Sequence, residues 1–438
     1  MKVTLKDGSV KEFESSVSVL DAAKSISEGL ARAACAGKVN GEVVDLRTEI
    51  NEDCELEILT CKDAEGLRVL RHTASHVMAQ AVKRLYPNTK LAIGPAIDDG
   101  FYYDFDREAP FSAEELGEIE KEMKKIVKEN LKLERFELPR EEAIKFMEEK
   151  EEPYKVELIQ DLPADAVISF YKQGDFVDLC AGPHLLGTKG VKAFKLISSS
   201  MAYWRGDSNK AQLQRIYATA YDNKEDLAAH MEHLEDIKRR DHNRLGREME
   251  LFATVDVIGQ GLPLMLPNGT KMVMKLQRWI EDLEDKEWGY VRTKTPLMAK
   301  SDLYKISGHW DHYKDGMFVL GDEEVDKEVF ALRPMTCPFQ YYVYKNSQKS
   351  YRDLPYRMGE TSTLFRNEDS GEMHGLTRVR QFTISEGHNV IRPDQAEEEL
   401  QNCLSLAIHV LTTLGLQDDV TFRLSMRPDP AAVPELLP

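Results

Sequence analysis

The stretch from Arg357 to His388, RMGETSTLFRNEDSGEMHGLTRVRQFTISEGH, constrains the fold more than any other. Two strand-forming runs flank a polar loop, and each run carries an arginine beside it. Thr361 to Asn367 reads as an outgoing strand, and the Asp-Ser-Gly chemistry within Glu368 to Gly375 turns the chain. Leu376 to Ile384 alternates as the returning strand. The two-residue period puts Leu376, Arg378, Arg380, Phe382 and Ile384 on one face, so Arg378 is aimed where an apolar set is aimed. An arginine on a half-buried sheet needs an anionic partner. Planar guanidinium forks at Arg366 and Arg378, one on each side of the loop, suit bidentate capture of a phosphate.

A Phe-Arg-x-Glu sequence, a loop and an arginine closing a second strand resemble motif 2 of the class II aminoacyl-tRNA synthetases. The FRNE and GLTRVRQFT segments are similar to the threonyl branch of that family. The resemblance implies that Arg366 holds the α phosphate of ATP, that Glu368 reads the adenine or amino-acid side, and that Arg378 holds the nucleotide.

At 438 residues the chain has room for about two to four domains, each with its own core. No apolar run reaches the roughly eighteen residues needed to cross a membrane, and the N-terminal MKVTLKDGSV lacks the pattern of a signal peptide. Six cysteines at 35, 54, 61, 180, 337 and 403 form no disulfide-like framework, which fits a reducing cytoplasm and leaves Cys180 and Cys337 free for chemistry. A net charge of −18 argues against a nonspecific nucleic-acid coat, while leaving tRNA to a local basic face.

The expected fold is α+β and multidomain. Residues 1–61 read as a strand pair turning at Asp7-Gly8, a short helix opened by Ser18, and further strands near Lys38 to Val44 and Leu56 to Leu59. This order is similar to the β-grasp TGS domain that begins bacterial threonyl-tRNA synthetases. Residues 62–224 open with helical periodicity from Glu65 to Leu85, which projects His72 and His76 from one face. Asp178-Leu-Cys180-Ala-Gly-Pro-His184 adds a cysteine and a histidine on a Gly-Pro turn, and two histidines with a Cys/His pair is a spacing that could bind zinc. These pairs, with GPAIDDGFYYDF and AYWRGDSNKAQLQRIYATAY, resemble the editing domain shared by threonyl- and alanyl-tRNA synthetases. In the threonyl branch the resemblance implies that His72, His76, Cys180 and His184 surround a hydrolytic water, with Lys155 and Asp178 orienting that water or the ribose hydroxyl.

Residues 225–245 read as a polar linker helix with a basic cluster at Lys238, Arg239, Arg240 and Arg244 that could touch RNA phosphates. Residues 246–438 resemble a partial class II catalytic domain built on an antiparallel sheet. A helix with the apolar stripe Val273, Leu276, Ile280 and Leu283 precedes a strand from Tyr290 to Pro296, and this pair resembles motif 1, which implies a homodimer. By the same resemblance Cys337 and His388 are zinc ligands, Met335 lies near the adenine, Glu386 meets the substrate, and magnesium accompanies ATP. Valine has the shape of threonine, so a zinc ion binding the amino and hydroxyl groups would reject it. Serine lacks only a methyl, worth roughly 1 to 3 kcal/mol, and has to be removed afterwards.

The chain departs from the family at Gln381, Ile384 and Glu386. It also ends at Pro438 before a third zinc histidine, the glycine-rich motif 3 and an anticodon-binding domain, so truncation and little threonine activation are expected. The reading is a threonine-tRNA ligase that edits seryl-tRNA(Thr). Two others stand beside it: a freestanding hydrolase for seryl-tRNA(Thr), and a non-catalytic RNA-binding paralogue.

Overall fold

The computed structural model describes residues 1–207 and 209–425. It divides into two compact units, Met1–Asp236 and Ile237–Pro438, with the boundary inside the 225–245 stretch. Among the described residues no helix is long and apolar enough to cross a membrane.

The first unit begins with a five-stranded sheet. Strands β1 (Lys2–Leu5) and β2 (Val10–Glu12) pair antiparallel, β1 runs parallel to β5 (Cys54–Thr60), and β3 (Ala34–Val39) and β4 (Glu42–Val44) complete it beyond β5. Helix α1 (Val19–Ile26) is capped by the Ser18 side chain, which accepts from the Asp21 amide, and its Val19 and Ala22 pack on Val3, Leu46 and Leu56. This is the expected β-grasp arrangement.

Helix α2 (Ala64–Leu85) is buried on most sides. Such a helix belongs inside a core rather than over it. Val69, Leu70, Ala74, Val77, Met78, Ala81 and Val82 share one cluster with Phe101, Tyr103 and Phe105 of β6 (Gly100–Asp106). Cys35, Ala36 and Leu59 of the first sheet join the same cluster, so the core runs on past residue 61. A second antiparallel sheet joins β6 to β11 (Gln212–Tyr221) and β11 to β10 (Ala193–Tyr203). A three-stranded sheet of β7 (Leu133–Glu137), β8 (Ser169–Gln173) and β9 (Phe176–Leu179) packs Phe170 and Phe136 on Phe146, and helix α3 (Pro153–Asp161) lies next to it in sequence.

The polar stretch 225–245 is not one helix. It forms α4 (Lys224–Arg239) and α5 (His242–Glu248), because the Asp241 side chain accepts the Arg244 amide and starts a new N-terminus there. In the second unit α6 (Pro267–Lys286) buries Leu283 but leaves Val273 and Leu276 exposed. The strand expected over 290–296 is confined to β12 (Val291–Arg292), which runs parallel to the central hairpin strand. Beyond Arg292, the Thr293 amide makes one more bond to β13, at the Gly359 carbonyl, and the Thr293 and Thr295 side chains then turn to those of Gln340 and Glu360.

The hairpin pairs β13 (Tyr356–Phe365) with β14 (Gln381–Val390) in unbroken register from Tyr356↔Val390 to Phe365↔Gln381. Its return strand therefore begins at Gln381, five residues later than the alternation suggests. Residues 376–380 stay in the loop because charged contacts replace the ladder: Arg378 meets Glu368 and Glu372, and Arg380 donates to the Glu368 carbonyl. Arg378 consequently does not share the apolar face, and its side chain is 49% exposed. Helix α7 (Cys337–Lys345) and helix α8 (Ala396–Thr413) complete the elements used below.

Under the hairpin Arg333 and Glu360 are each 2% exposed and 3.0 Å apart. The guanidinium also donates to Thr295 Oγ1 and the Thr363 carbonyl. Removing one partner of such a pair strands the other charge. We expect Arg333→Met to cost about 3 to 5 kcal/mol in urea unfolding, and the double variant Arg333→Met, Glu360→Met to cost less than that single change. Equal or greater loss in the double variant contradicts this account.

Candidate functional site

The longest helix of the first unit brings two of the expected histidines together with the 180–184 turn. His72 is half-buried, and His76 and His184 are buried. Cys180 Sγ lies 3.3 Å from His72 Nε2 and 3.2 Å from His184 Nε2, and the four donor atoms fall within 4.8 Å of one another. Gly182 makes the turn possible: it sits at φ 78°, and a Cβ there would collide with the Tyr171 hydroxyl.

Hydrogen bonds fix where the His184 ring stands. Thr73 Oγ1 accepts from the Leu185 amide and lies 3.0 Å from the Val69 carbonyl and 3.2 Å from His184 Nδ1. His184 Nε2 faces the Cys180 thiol. Burial pushes that thiol up to about 12 and keeps it protonated. Burial also drives His72 down to about 4 and His76 to about 3, so both rings are neutral near pH 7. His76 Nδ1 is buried without a hydrogen-bond partner. The cluster therefore offers neutral imidazoles and a thiol around a small space, a donor set that suits a held water and equally a soft divalent metal.

A buried ion pair stands beside it. Lys155 Nζ is 2.6 Å from Asp178 Oδ1, and the two side chains are 4% and 2% exposed. Tyr103 donates to Asp178 Oδ2 at 2.5 Å and receives the Lys155 ammonium at 3.0 Å, while His76 Nε2 lies 3.6 Å from Asp178. Burial would raise the Asp178 carboxyl, but Lys155, His76 and Tyr103 together hold it below its ordinary value, so it is ionised. A cavity of about 400 Å³ opens on His72, Arg68, Gly182 and Pro183.

Thus all six residues expected of this site are together. Tyr103, Thr73 and Tyr171 belong to it as well and escaped the sequence reading. Tyr103 was recoverable, since the alternation of FYYDF puts it on the face of Phe101 and Phe105; nothing local marks the other two.

In the second unit the nucleotide candidates lie around the hairpin loop. Arg366 packs its guanidinium 5.1 Å over the Phe382 ring, and its buried Nε has no hydrogen-bond partner, as expected of a group that meets an anion. Arg378 and Glu368 are paired at 2.7 Å. Met335 Sδ contacts His309 Nε2 at 3.3 Å. Cys337 opens α7, while Ile384, Glu386 and His388 share one face of β14 by its period, with Glu386 opposite the buried Glu360. Burial, with the Glu386 charge added, raises the Cys337 thiol; burial lowers His388 against the pull of Glu386 and Glu360. Glu386 Oε1 and His388 Nδ1 are both buried without partners. Among the described residues, however, Cys337, Glu386 and His388 do not gather their ligand atoms within 4.8 Å as the His72 cluster does, so the two unpartnered atoms mark a polar patch rather than an assembled metal centre.

Comparison with known proteins gives three family matches. Residues 1–60 match the TGS domain, residues 168–217 the threonyl and alanyl tRNA synthetase second additional domain, and residues 318–434 the class II tRNA synthetase core domain (G, H, P, S and T). The threonine–tRNA ligase of Clostridium perfringens is 63% identical over 97% of this chain, and that of Acetivibrio thermocellus is 52% identical over 98%. The chain spans 66% of the length of each. A solved RNA-binding domain of threonyl-tRNA synthetase from Cryptosporidium parvum is 35% identical, with a TM-score of 0.38 and coverage of 40% of this chain and 43% of that one.

The buried ion pair sets an order of effects. Tyr103→Phe removes one bond to Asp178 and should cost about 1 to 3 kcal/mol. Lys155→Met strands the carboxylate and should cost about 3 to 5 kcal/mol. Denaturant unfolding of both variants at neutral pH checks the ranking, which a costlier Tyr103→Phe would reverse.

Proposed function

The chain belongs to the threonyl-tRNA synthetase family, and from that premise we propose that it serves threonine–tRNA ligation and that its first unit hydrolyses seryl-tRNA(Thr) formed in error. What supports the editing assignment most directly is the cluster itself: neutral His72 and His76, Cys180 and His184 around a space where His76 Nδ1 lacks a partner, beside a cavity that His72 lines.

Ester hydrolysis needs a water held against the carbonyl carbon and a group to take its proton. A neutral imidazole at His72 or His76 accepts that proton. The water oxygen bonds to the carbonyl carbon, the acyl–oxygen bond breaks, and the ribose oxygen leaves as a hydroxyl after taking a proton. Lys155 and Asp178, held together and by Tyr103, are assigned to orienting that water or the ribose hydroxyl. A pocket sized for serine excludes the extra methyl of threonine, so the correct product is spared.

In the second unit we assign the α phosphate of ATP to Arg366, with Glu368 and Arg378 completing the nucleotide site, Met335 beside the adenine and magnesium shared with the phosphates. The unpartnered Arg366 Nε supports this. Cys337 and His388 are assigned to zinc and Glu386 to the threonine amino group. A zinc ion bound there would take the amino and hydroxyl groups of threonine and so reject valine. The exposed Val273 and Leu276 on α6 support a homodimer contact. The setting proposed is the cytoplasm and the partner tRNA(Thr).

Three outcomes test these assignments. The chain should deacylate seryl-tRNA(Thr) and spare threonyl-tRNA(Thr), and His72→Ala or His76→Ala should slow it roughly a hundredfold or more; equal rates on both esters, or full activity in the double histidine variant, contradict the editing role. Arg366→Ala should weaken binding of ATP in calorimetry by about tenfold or more, the scale of a lost charged hydrogen bond. Zinc retained after dialysis should fall in Cys337→Ala and in His388→Ala; unchanged content in both removes those ligands from consideration.

A further inference from the structure

The small N-terminal sheet reaches the histidine cluster. Val43 of β4 lines the same 400 Å³ cavity as His72, Gly182 and Pro183. Two residues on, Asp45 is 6% exposed. Its Oδ1 accepts the Arg47 amide at 3.0 Å, closing the local turn, and Arg47 Nη1 at 2.6 Å. Its Oδ2 is turned outward from that turn, accepting the Tyr171 hydroxyl at 3.0 Å and the His184 amide at 3.3 Å. Arg47 continues the clamp from the other side, with Nη2 donating to the Leu185 carbonyl at 2.9 Å and Nη1 to the His184 carbonyl at 3.4 Å.

The two side chains therefore grip the peptide units on both sides of His184. Asp45 also holds Tyr171, whose ring packs on the His184 ring with centroids 4.5 Å apart. The His184 ring in turn lies 4.1 Å from His72 and 4.2 Å from His76 by the same measure. A displacement of the 182–185 backbone would move the His184 ring against the two histidines of α2. All four groups facing Asp45 are donors, so only an acceptor at both oxygens satisfies them. An asparagine of the same shape would turn its NH₂ toward a donor.

Resting on the deacylation reading above, we propose that Asp45 is a positioning residue of the deacylation site, with Arg47 as its counter-clamp, so that the first sixty residues are part of that active site. The carboxylate works at a distance from the reacting atoms, by fixing where His184 and Tyr171 stand. Misplacement of a reacting group by about 1 Å can cost a hundredfold in rate. The effect should thus appear in the chemical step and leave substrate capture alone.

The test uses the full chain and seryl-tRNA(Thr). Asp45→Asn should lower kcat about tenfold or more with little change in KM. Tyr171→Phe, a milder change, should lower kcat in the same sense. The double variant should fall less than the product of the two single effects, because both act through one hydrogen bond. Val3→Ala, a cavity in the core of the same small sheet that removes none of the clamp's hydrogen bonds, should lower the melting temperature while kcat holds. A wild-type chain that spares seryl-tRNA(Thr) overturns the deacylation reading and this inference with it. An active wild type whose Asp45→Asn and Tyr171→Phe variants keep kcat, or whose Val3→Ala loses as much kcat as Asp45→Asn, overturns this inference alone.

Discussion

The ion pair of Lys155 and Asp178 is the interaction on which the first unit's site depends. Two charges almost sealed from water carry a desolvation penalty of several kcal/mol each, and their attraction offsets it only when the remaining lone pairs and protons are also satisfied. Tyr103 supplies that satisfaction to both partners at once. The apolar packing around it, from Phe101 and Phe105 to Met78 on α2, keeps water out and fixes the pair in place. The same dry setting holds His72 and His76 neutral, so one burial event shapes both the fixed charge and the proton acceptors.

That arrangement needs contributions from segments far apart in sequence. Helix α2 carries two histidines, β9 carries Asp178, α3 carries Lys155 and β6 carries Tyr103. The N-terminal sheet closes the remaining side through Asp45 and Arg47, and its Cys35, Ala36 and Leu59 share the core that α2 fills. A boundary near residue 61 is therefore a change of topology without a break in packing.

The second unit shows the complementary pattern, with charge organised around a hairpin. Arg333 and Glu360 are satisfied internally beneath it, through Thr295, Gln340 and the Thr363 carbonyl. At the loop, Arg366 keeps a buried donor unpaired, and on the even face of β14 Glu386 and His388 keep unpaired atoms too. Structural charge is saturated, and the charge left unsaturated sits where a ligand would complete it.

What the sequence by itself determined follows from local periodicity and motif chemistry. The i and i+4 histidines, the Cys-Ala-Gly-Pro-His turn, the β-grasp order of the first sixty residues and the existence of the hairpin were all legible, because each depends on spacing along one element. The hairpin's extent was not legible: alternation from Leu376 counts residues that Arg378 and Arg380 spend on Glu368 and Glu372, and a period cannot tell a ladder from a charged loop. The break at Asp241 was missed for a similar reason, since one capping side chain outweighed a continuous polar pattern. Only the tertiary structure decided that Tyr103 joins Lys155 to Asp178, that Thr73 meets the His184 ring, and that Asp45 reaches Tyr171 and the His184 amide from 126 and 139 residues away. Those contacts come from burial, which brings together donors and acceptors that no local pattern relates and makes each one left unpaired costly.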